Sequence, residues 1–251
     1  MIPTVHSAGF RVERKGLISL TDSGCKSLGL GPYEVSLISC YSGFQRECCL
    51  VELGLFLTSN VLYPNTKLPI FVSEDSHRSL IEHSLKKDSQ VGAVLLKNCK
   101  TTDRNPEPYD IGTVAKIVGM QKWHGSSVQV VLQGVRRFKV LHLDYSQPYL
   151  RANVEWLEES FTSKEPGVEE RLKREVEGSF RNYLEMLESY GISPPKEEVH
   201  YYPPEEYSYV VADLVQIEPH MKQQLLAVPT TAERLKTELE FLARLLDGWH
   251  S

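Results

Sequence analysis

The sequence predicts an α+β protein whose strands precede its helices. Up to about residue 160, short apolar runs are separated by turn residues, whereas beyond it the apolar residues recur every three or four positions. The first pattern is typical of strands and the second of amphipathic helices. Because the two kinds of element are segregated along the chain, we expect an α+β fold rather than alternating βαβ units. The predicted organisation is a poorly ordered or unassigned extension at residues 1–49, a β-rich part at residues 50–160 and a helical part at residues 161–251.

The strand predictions rest on short runs with distinct patterns. Val91–Leu96 is continuously apolar, which is typical of a strand buried on both faces. Tyr149–Leu157 alternates and places Leu150, Ala152, Val154 and Trp156 on one face. Pro69 confines its strand to a sheet edge or a bulge, because proline cannot donate a hydrogen bond to a neighbouring strand. Gly134–Arg136 is predicted to break one strand from the next, and His124–Gly125 to form a hairpin turn. The other predicted strands are Val51–Leu57, Lys67–Val72, Ile111–Val118, Ser127–Gln133 and Phe138–Asp144.

Helices are predicted from apolar residues with helical spacing. Val168–Leu187 carries one continuous apolar stripe, and Gly191 is expected to end that helix. Pro219 suits the first turn of a short helix, and Thr230 with Glu233 forms a capping box before the final one. The other predicted helices are Glu205–Ile217, Pro219–Ala227 and, within the β-rich part, Ser76–Lys87, whose Leu80, Ile81 and Leu85 share one face.

Composition and charge limit the possible partners. The chain is 41% hydrophobic, enough for a core, and its net charge is −5, so no overall basic field indicates nucleic acid. The charge is uneven: residues 161–251 hold 17 acidic and 10 basic residues, a net of −7, whereas residues 1–160 have a net of +2. An acidic helical part would repel phosphates. No run reaches the roughly 18 apolar residues of a membrane span, so no membrane partner is expected.

Motifs of catalysis are missing from the sequence. The nearest approach to a nucleotide-binding loop is Gly24–Ser27, in which Cys25 separates glycine from lysine and the earlier glycine is absent. His77 and His83 are six positions apart, on different faces of their helix, which does not favour a metal site. A Cys/His nucleophilic pair stays open, because such partners meet only in the folded chain. We expect no enzyme activity, no cofactor and no metal.

Several segments carry a combined pattern in their order and spacing: Leu53–Leu57, Asn60–Asn65, Leu68–Val72, Tyr109–Ile117, Val131–Val140 and Pro148–Glu155. Together they resemble the N-terminal, substrate-binding domain of Lon proteases. The resemblance covers residues 51–247, without the ATPase and protease domains that usually accompany it. It implies a PUA-like β pseudo-barrel followed by a C-terminal helical bundle. Asn65 stands where the family has glycine, and asparagine can adopt the left-handed conformation of such a turn.

The resemblance implies a non-catalytic module that recognises exposed hydrophobic or unfolded polypeptide segments. It would act as an adaptor to proteolysis or as a competitor for substrates, so the expected partners are polypeptide substrates or a protease. An RNA-binding PUA-like module is the alternative. In the family, Arg137 belongs to a turn that supports the fold. Predicted peptide contacts are Tyr63, Pro64, Leu68 and Pro69, next to an edge strand, and Tyr201 and Tyr202, although packing within the protein is the competing interpretation of both groups.

Cellular location is predicted from the cysteines. Five cysteines without a C-x-x-C spacing are typical of reduced thiols, which indicates a cytoplasmic protein. Import into an organelle through residues 1–49 and translation from upstream of the true start stay open for that extension. The acidic residues there are not typical of a transit peptide. The sequence does not indicate the oligomeric state.

Overall fold

The computed structural model describes residues 51–97, 106–122, 127–159, 167–193 and 201–248, all within one compact unit. The predicted extension at residues 1–49 and the hairpin turn at His124–Gly125 lie outside the described residues. An α+β protein with segregated elements is confirmed. The elements are β1 Val51–Thr58, β2 Lys67–Val72, α1 Asp75–Lys86, β3 Gln90–Leu95, β4 Ile111–Lys122, β5 Val128–Asp144, β6 Arg151–Trp156, α2 Val168–Ser189, α3 Pro204–Leu214, α4 Pro219–Ala227 and α5 Thr231–Gly248.

The strands form a sheet that closes on itself. Along the sheet the strands follow the order β2-β5-β4-β3-β1-β6. β5 also pairs with β6, so the five strands from β5 to β6 in this order form a closed ring. β1 pairs with β3 in parallel and with β6 antiparallel, whereas the remaining pairs are antiparallel. Among the described strands, β2 pairs with β5 alone and is therefore an edge strand, one of the two placements that Pro69 allowed.

The prediction of a break at Gly134–Arg136 is wrong, because β5 is one strand of 17 residues. Its first half pairs with β2 and its second half with β6, while β4 pairs along both halves. Gly134 is needed for close approach: a Cβ there would lie 2.0 Å from the carbonyl oxygen of Tyr63. The register with β4 shifts between Val114 and Ala115, opposite Gly134. Gly134 therefore marks a β-bulge and not the end of a strand.

Other local predictions are confirmed within a few residues. Asn65 has a φ of 64°, in the left-handed region. Gly191 has a φ of 75° and ends α2 through hydrogen bonds from its own N–H and that of Ile192 to the last turn. Thr230 Oγ1 accepts a hydrogen bond from the Glu233 N–H at 3.2 Å, as a capping box requires. The prediction that Leu85 shares the apolar face of α1 is wrong, since its side chain is 43% exposed whereas Leu80 and Ile81 are buried.

The core continues from the sheet into the helices. One buried cluster joins α2, α3 and α5, and another lies within the sheet beneath α1. A third brings Val61 and Tyr63, from the connection between β1 and β2, and Leu95 of β3 against residues of the helices, among them Leu225 and Phe241. Because this third cluster draws on both parts of the chain, the helices cover one end of the sheet with an apolar contact.

Candidate functional site

An open groove lies where β1 and β2 separate. Its volume is about 780 Å³, within the usual range of ligand sites. The end of β1, most of β2, the start of α1 and the segment before β6 form its walls. Of the 21 lining residues, most are apolar, and neither lysine nor arginine occurs among them. The groove can therefore accept apolar side chains, and the described residues of its lining include no cation for a phosphate or a carboxylate.

Two titratable groups of the groove, Glu74 and His77, lie at the start of α1. His77 stacks on Phe56, with ring centroids 4.4 Å apart, and its Nδ1 lies 3.7 Å from a carboxylate oxygen of Glu74. Burial lowers the pKa of His77, and the charge of Glu74 offsets only part of that effect. The imidazole is therefore neutral at pH 7, which leaves Glu74 as the charged side chain of the lining.

The structure places the predicted contact residues in three environments. Leu68 and Pro69 line the groove, half-buried and exposed respectively. Tyr63 and Pro64 are buried in the turn between β1 and β2 and do not line the groove. Tyr201 and Tyr202, 87% and 36% exposed, precede α3 and do not line the groove. Whether any of these residues contacts a polypeptide stays a prediction.

Tyr63 has a structural role instead. Its hydroxyl donates a hydrogen bond of 2.7 Å to the carbonyl oxygen of Lys222 on α4, and its ring lies 6.0 Å from that of Tyr209 on α3. The side chain is fully buried, and burial raises the pKa of the hydroxyl well above its ordinary value. The turn between the two strands that border the groove is thereby fixed to the helices.

A second set of buried polar groups, here called the Glu159 cluster, joins the sheet to the helices. Glu159 follows β6 and its side chain is 11% exposed. Burial alone would raise its pKa, but the charges of Arg234 and Arg137 outweigh that effect and hold the pKa below its usual value. Its carboxylate oxygens accept hydrogen bonds from Arg137 Nη2 at 2.6 Å, Arg234 Nη2 at 2.5 Å, Tyr209 Oη at 3.0 Å and Thr231 Oγ1 at 3.1 Å.

Arg137 also holds the end of α4. Its Nη1 donates to the carbonyl oxygens of Leu226 at 2.9 Å and Val228 at 2.5 Å. The carbonyls at a helix C-terminus lack partners within the helix and carry partial negative charge, so a guanidinium there is favourable. The expectation that Arg137 supports the fold agrees with these contacts, although it lies within a strand and not in a turn.

Sequence reasoning missed two buried charges of α5, Arg234 and Glu238, of which Arg234 shares Glu159 with Arg137. They are spaced four apart on the buried face of the helix, and this spacing could have indicated them. Glu238 is 2% exposed, and neither of its carboxylate oxygens has a hydrogen-bond partner among the described residues. Burial raises the pKa of Glu238 well above its ordinary value, and Arg234 offsets only part of this effect.

Within the described residues, no group of three or more histidine, cysteine, aspartate or glutamate side chains is placed to hold a metal ion. His77 and His83 lie against different aromatic rings, those of Phe56 and Tyr149. None of the helices in this part of the chain combines the length and the apolar character needed to cross a bilayer.

The chain matches a known protein family over most of its length. The model of the ATP-dependent protease La (LON) substrate-binding domain matches residues 52–244, most of the sequence. The chain belongs to this family. Membership supports a substrate-binding role in proteolysis, and the LON substrate-binding domain is a protein-binding region that is not itself catalytic.

Relatives of this LON substrate-binding domain include full-length proteases. The chain is 27% identical over 189 residues to the Lon protease of Anaeromyxobacter dehalogenans and 28% identical over 189 residues to Lon protease 2 of Myxococcus xanthus. Each match covers 75% of this chain but only 22% and 23% of the relative. The chain thus spans less than a quarter of the length of these curated relatives.

Solved structures show the same fold. The Lon N-terminal domain protein of Xanthomonas campestris superposes with a TM-score of 0.57 at 19% identity. The N-terminal domain of the Mycobacterium avium complex Lon protease superposes with a TM-score of 0.61 at 17% identity. Each match covers 76% of this chain and 98% of the other, so the LON fold extends over nearly the whole of those domains.

Proposed function

We propose that this chain recognises exposed hydrophobic or unfolded polypeptide segments in the groove between β1 and β2. The observation that carries the proposal is the groove itself: an open, largely apolar site in a member of a substrate-binding family. Unfolded chains expose apolar side chains that folded proteins bury, so such a site would distinguish the two states. Among the described residues, neither lysine nor arginine lines the groove, which counts against RNA because phosphate contacts require cations.

Among the predicted contact residues, Leu68 and Pro69 would touch the polypeptide. Tyr63 and Pro64 would act indirectly, by holding the turn that separates β1 from β2. Tyr201 and Tyr202 lie outside the groove and would form a second, independent contact surface. The closed sheet and the helices would correspond to the PUA-like pseudo-barrel and helical bundle of the family, divided near residue 160, and the protein would act in the cytoplasm.

The binding site can be tested with a dye-labelled, unstructured apolar peptide and fluorescence anisotropy on the full chain. Phe71 lines the groove and is 55% exposed, so Phe71→Ser should fold normally and weaken binding about tenfold, as truncation of an aromatic contact does. Tyr190→Ser is a matched control, because Tyr190 is 56% exposed and lies outside the groove. Equal losses in both variants, or no binding by the unmodified chain, would contradict the proposal.

The role in proteolysis needs a separate assay. Degradation of an unfolded, labelled polypeptide by a Lon-type protease would be followed with and without the added chain. An adaptor should accelerate degradation at low concentration, whereas a competitor for substrates should slow it. Both effects should weaken in Phe71→Ser, and an effect that this substitution leaves intact would show that another surface is used.

A further inference from the structure

From Leu57 onward, the backbone of β1 has no strand partner among the described residues on the side that faces the groove. β6 pairs with β1 only from Val51 to Gly54, and no other described strand continues that pairing toward Thr58. The Leu55 N–H points to the β6 side, because it donates to the Leu150 carbonyl oxygen at 2.8 Å. The Thr58 carbonyl points to β3, because it accepts from the Leu96 N–H at 3.1 Å. Since backbone direction alternates along a strand, the N–H and C=O of Leu57 point into the groove.

The opposite wall of the groove is a less suitable template. β2 is an edge strand, and the Thr66 carbonyl just before it points to β5, where it accepts from the Gly134 N–H at 3.0 Å. By alternation, Leu68 and Ile70 direct their backbone to β5 and Pro69 directs its backbone to the open edge. Proline has no N–H, so this edge lacks a donor at its centre, which is a known protection against pairing with another strand. A second copy of this chain is therefore not favoured on β2.

The side chains of the groove select the chemistry of the occupant. Within the described part of the chain, the lining holds one charged residue, Glu74, with the neutral His77 beside it. An acidic segment would meet the like charge of Glu74. A neutral apolar segment would place alternate side chains against the groove walls while its backbone stays extended.

We infer that the polypeptide binds by strand addition: an extended, apolar, non-acidic segment pairs with the groove-facing edge of β1 and exchanges hydrogen bonds with Leu57. The inference rests on the proposed function and specifies how the same groove is used. Main-chain pairing makes few demands on sequence, because every residue except proline offers an N–H and a C=O. Side-chain fit then adds selectivity for apolar residues at alternate positions.

N-methylation of the peptide tests the pairing. A nine-residue peptide that alternates leucine and serine would first be shown to bind the full chain. Two versions would follow, one methylated on the leucine amides and one on the serine amides. Pairing with one strand edge uses the N–H groups of one set only, so one version should bind at least tenfold more weakly than the unmethylated peptide and the other nearly as well. Equal affinities of the two versions would overturn the inference.

A measurement on the protein itself gives a second readout. With leucines labelled with ¹⁵N, the amide of Leu57 should exchange with solvent at least tenfold more slowly when the peptide saturates the groove. Leu85, exposed on α1 outside the lining, is the reference amide and should not change. An unprotected Leu57 amide in the saturated complex would overturn strand addition while leaving the proposed function intact. Failure of the unmethylated peptide to bind would instead overturn the proposed function.

The acidity of the occupant is tested with the same peptide. Replacement of the central serine by glutamate should weaken binding several-fold relative to lysine, and Glu74→Gln should remove most of that difference. The effect is small because Glu74 is 67% exposed and water screens its charge. Glutamate and lysine peptides of equal affinity would contradict the charge preference.

Discussion

Replacement of Glu159 by glutamine should destabilise the protein strongly although the side chain keeps its shape. Glu159 is the counter-charge of Arg137 and Arg234, whose side chains are 3% and 0% exposed. Removing one partner of a buried ion pair leaves its charge uncompensated and costs about 3–5 kcal/mol. For a domain of about 200 residues, each kcal/mol lost from the free energy of unfolding lowers Tm by about 2–4 °C. The Tm of the variant should therefore fall by about 6–20 °C.

The assay is urea and thermal unfolding followed by circular dichroism at pH 7. Glu240→Gln is the matched control: Glu240 lies 3.7 Å from Arg244 on α5, but the two side chains are 66% and 69% exposed. An exposed pair one helical turn apart contributes no more than about 0.5 kcal/mol. A Glu159→Gln variant that loses less than about 1 kcal/mol, or no more than the control, would refute the reasoning.

The same variant has a characteristic dependence on pH. The pKa of Glu159 is lowered in the folded protein, so its carboxylate stabilises the fold above the unfolded pKa of about 4.3. This contribution is lost as the pH falls through the lower, folded pKa. The stability difference between the unmodified chain and Glu159→Gln should therefore be full at pH 7 and shrink toward zero in acid. A difference that does not depend on pH would indicate a loss of packing and not of charge.

Two further predictions concern backbone space and a buried acid. Gly134→Ala should lower the free energy of unfolding by about 3 kcal/mol, the upper end for overpacking, because its Cβ would meet the Tyr63 carbonyl. Gly178→Ala in α2, with nothing within 4 Å of its Cβ, should instead raise the free energy of unfolding by about 0.5–1 kcal/mol. Equal Tm shifts in the two variants would contradict this reasoning. Glu238→Gln should be more stable than the unmodified chain above about pH 4.3, the pKa of glutamate in the unfolded chain, because the pKa of Glu238 is raised in the folded protein. As the pH rises, the unmodified chain should lose stability relative to the variant by up to about 1.4 kcal/mol per pH unit. Parallel stability profiles of the two proteins between pH 4 and 8 would show that Glu238 ionises alike in the folded and unfolded states.

Much of the fold was predictable because it depends on local patterns. β2 and α4 have the predicted bounds, and Gly191 ends α2 as expected from its conformational freedom. Both halves of β5 were predicted as strands, but their continuity was missed, because a glycine such as Gly134 has two interpretations that sequence alone does not separate. It can mark a break in a strand, or it can mark a place where another backbone comes close, and here the carbonyl of Tyr63 occupies the space of a side chain.

The site was less predictable because its contacts are distant in sequence. Pro69 carried a local signal for an edge strand, which is why one wall of the groove was found. Tyr63 was expected at the surface because its turn has no pattern that reveals a hydrogen bond to a residue 159 positions away. The Glu159 cluster joins residues separated by 22 to 75 positions, and no spacing rule within one helix or strand reports such contacts.

The Glu159 cluster also imposes an order on the chain as it leaves the ribosome. Arg137 and Glu159 emerge early, but Arg234 follows Glu159 by 75 residues. At about 5–20 residues per second, this corresponds to a delay of about 4–15 s. The strands are therefore complete in sequence before α3, α4 and α5, which bury Tyr63 and its apolar neighbours at one end of the sheet. The order of synthesis thus makes that apolar end of the sheet before the helices that cover it.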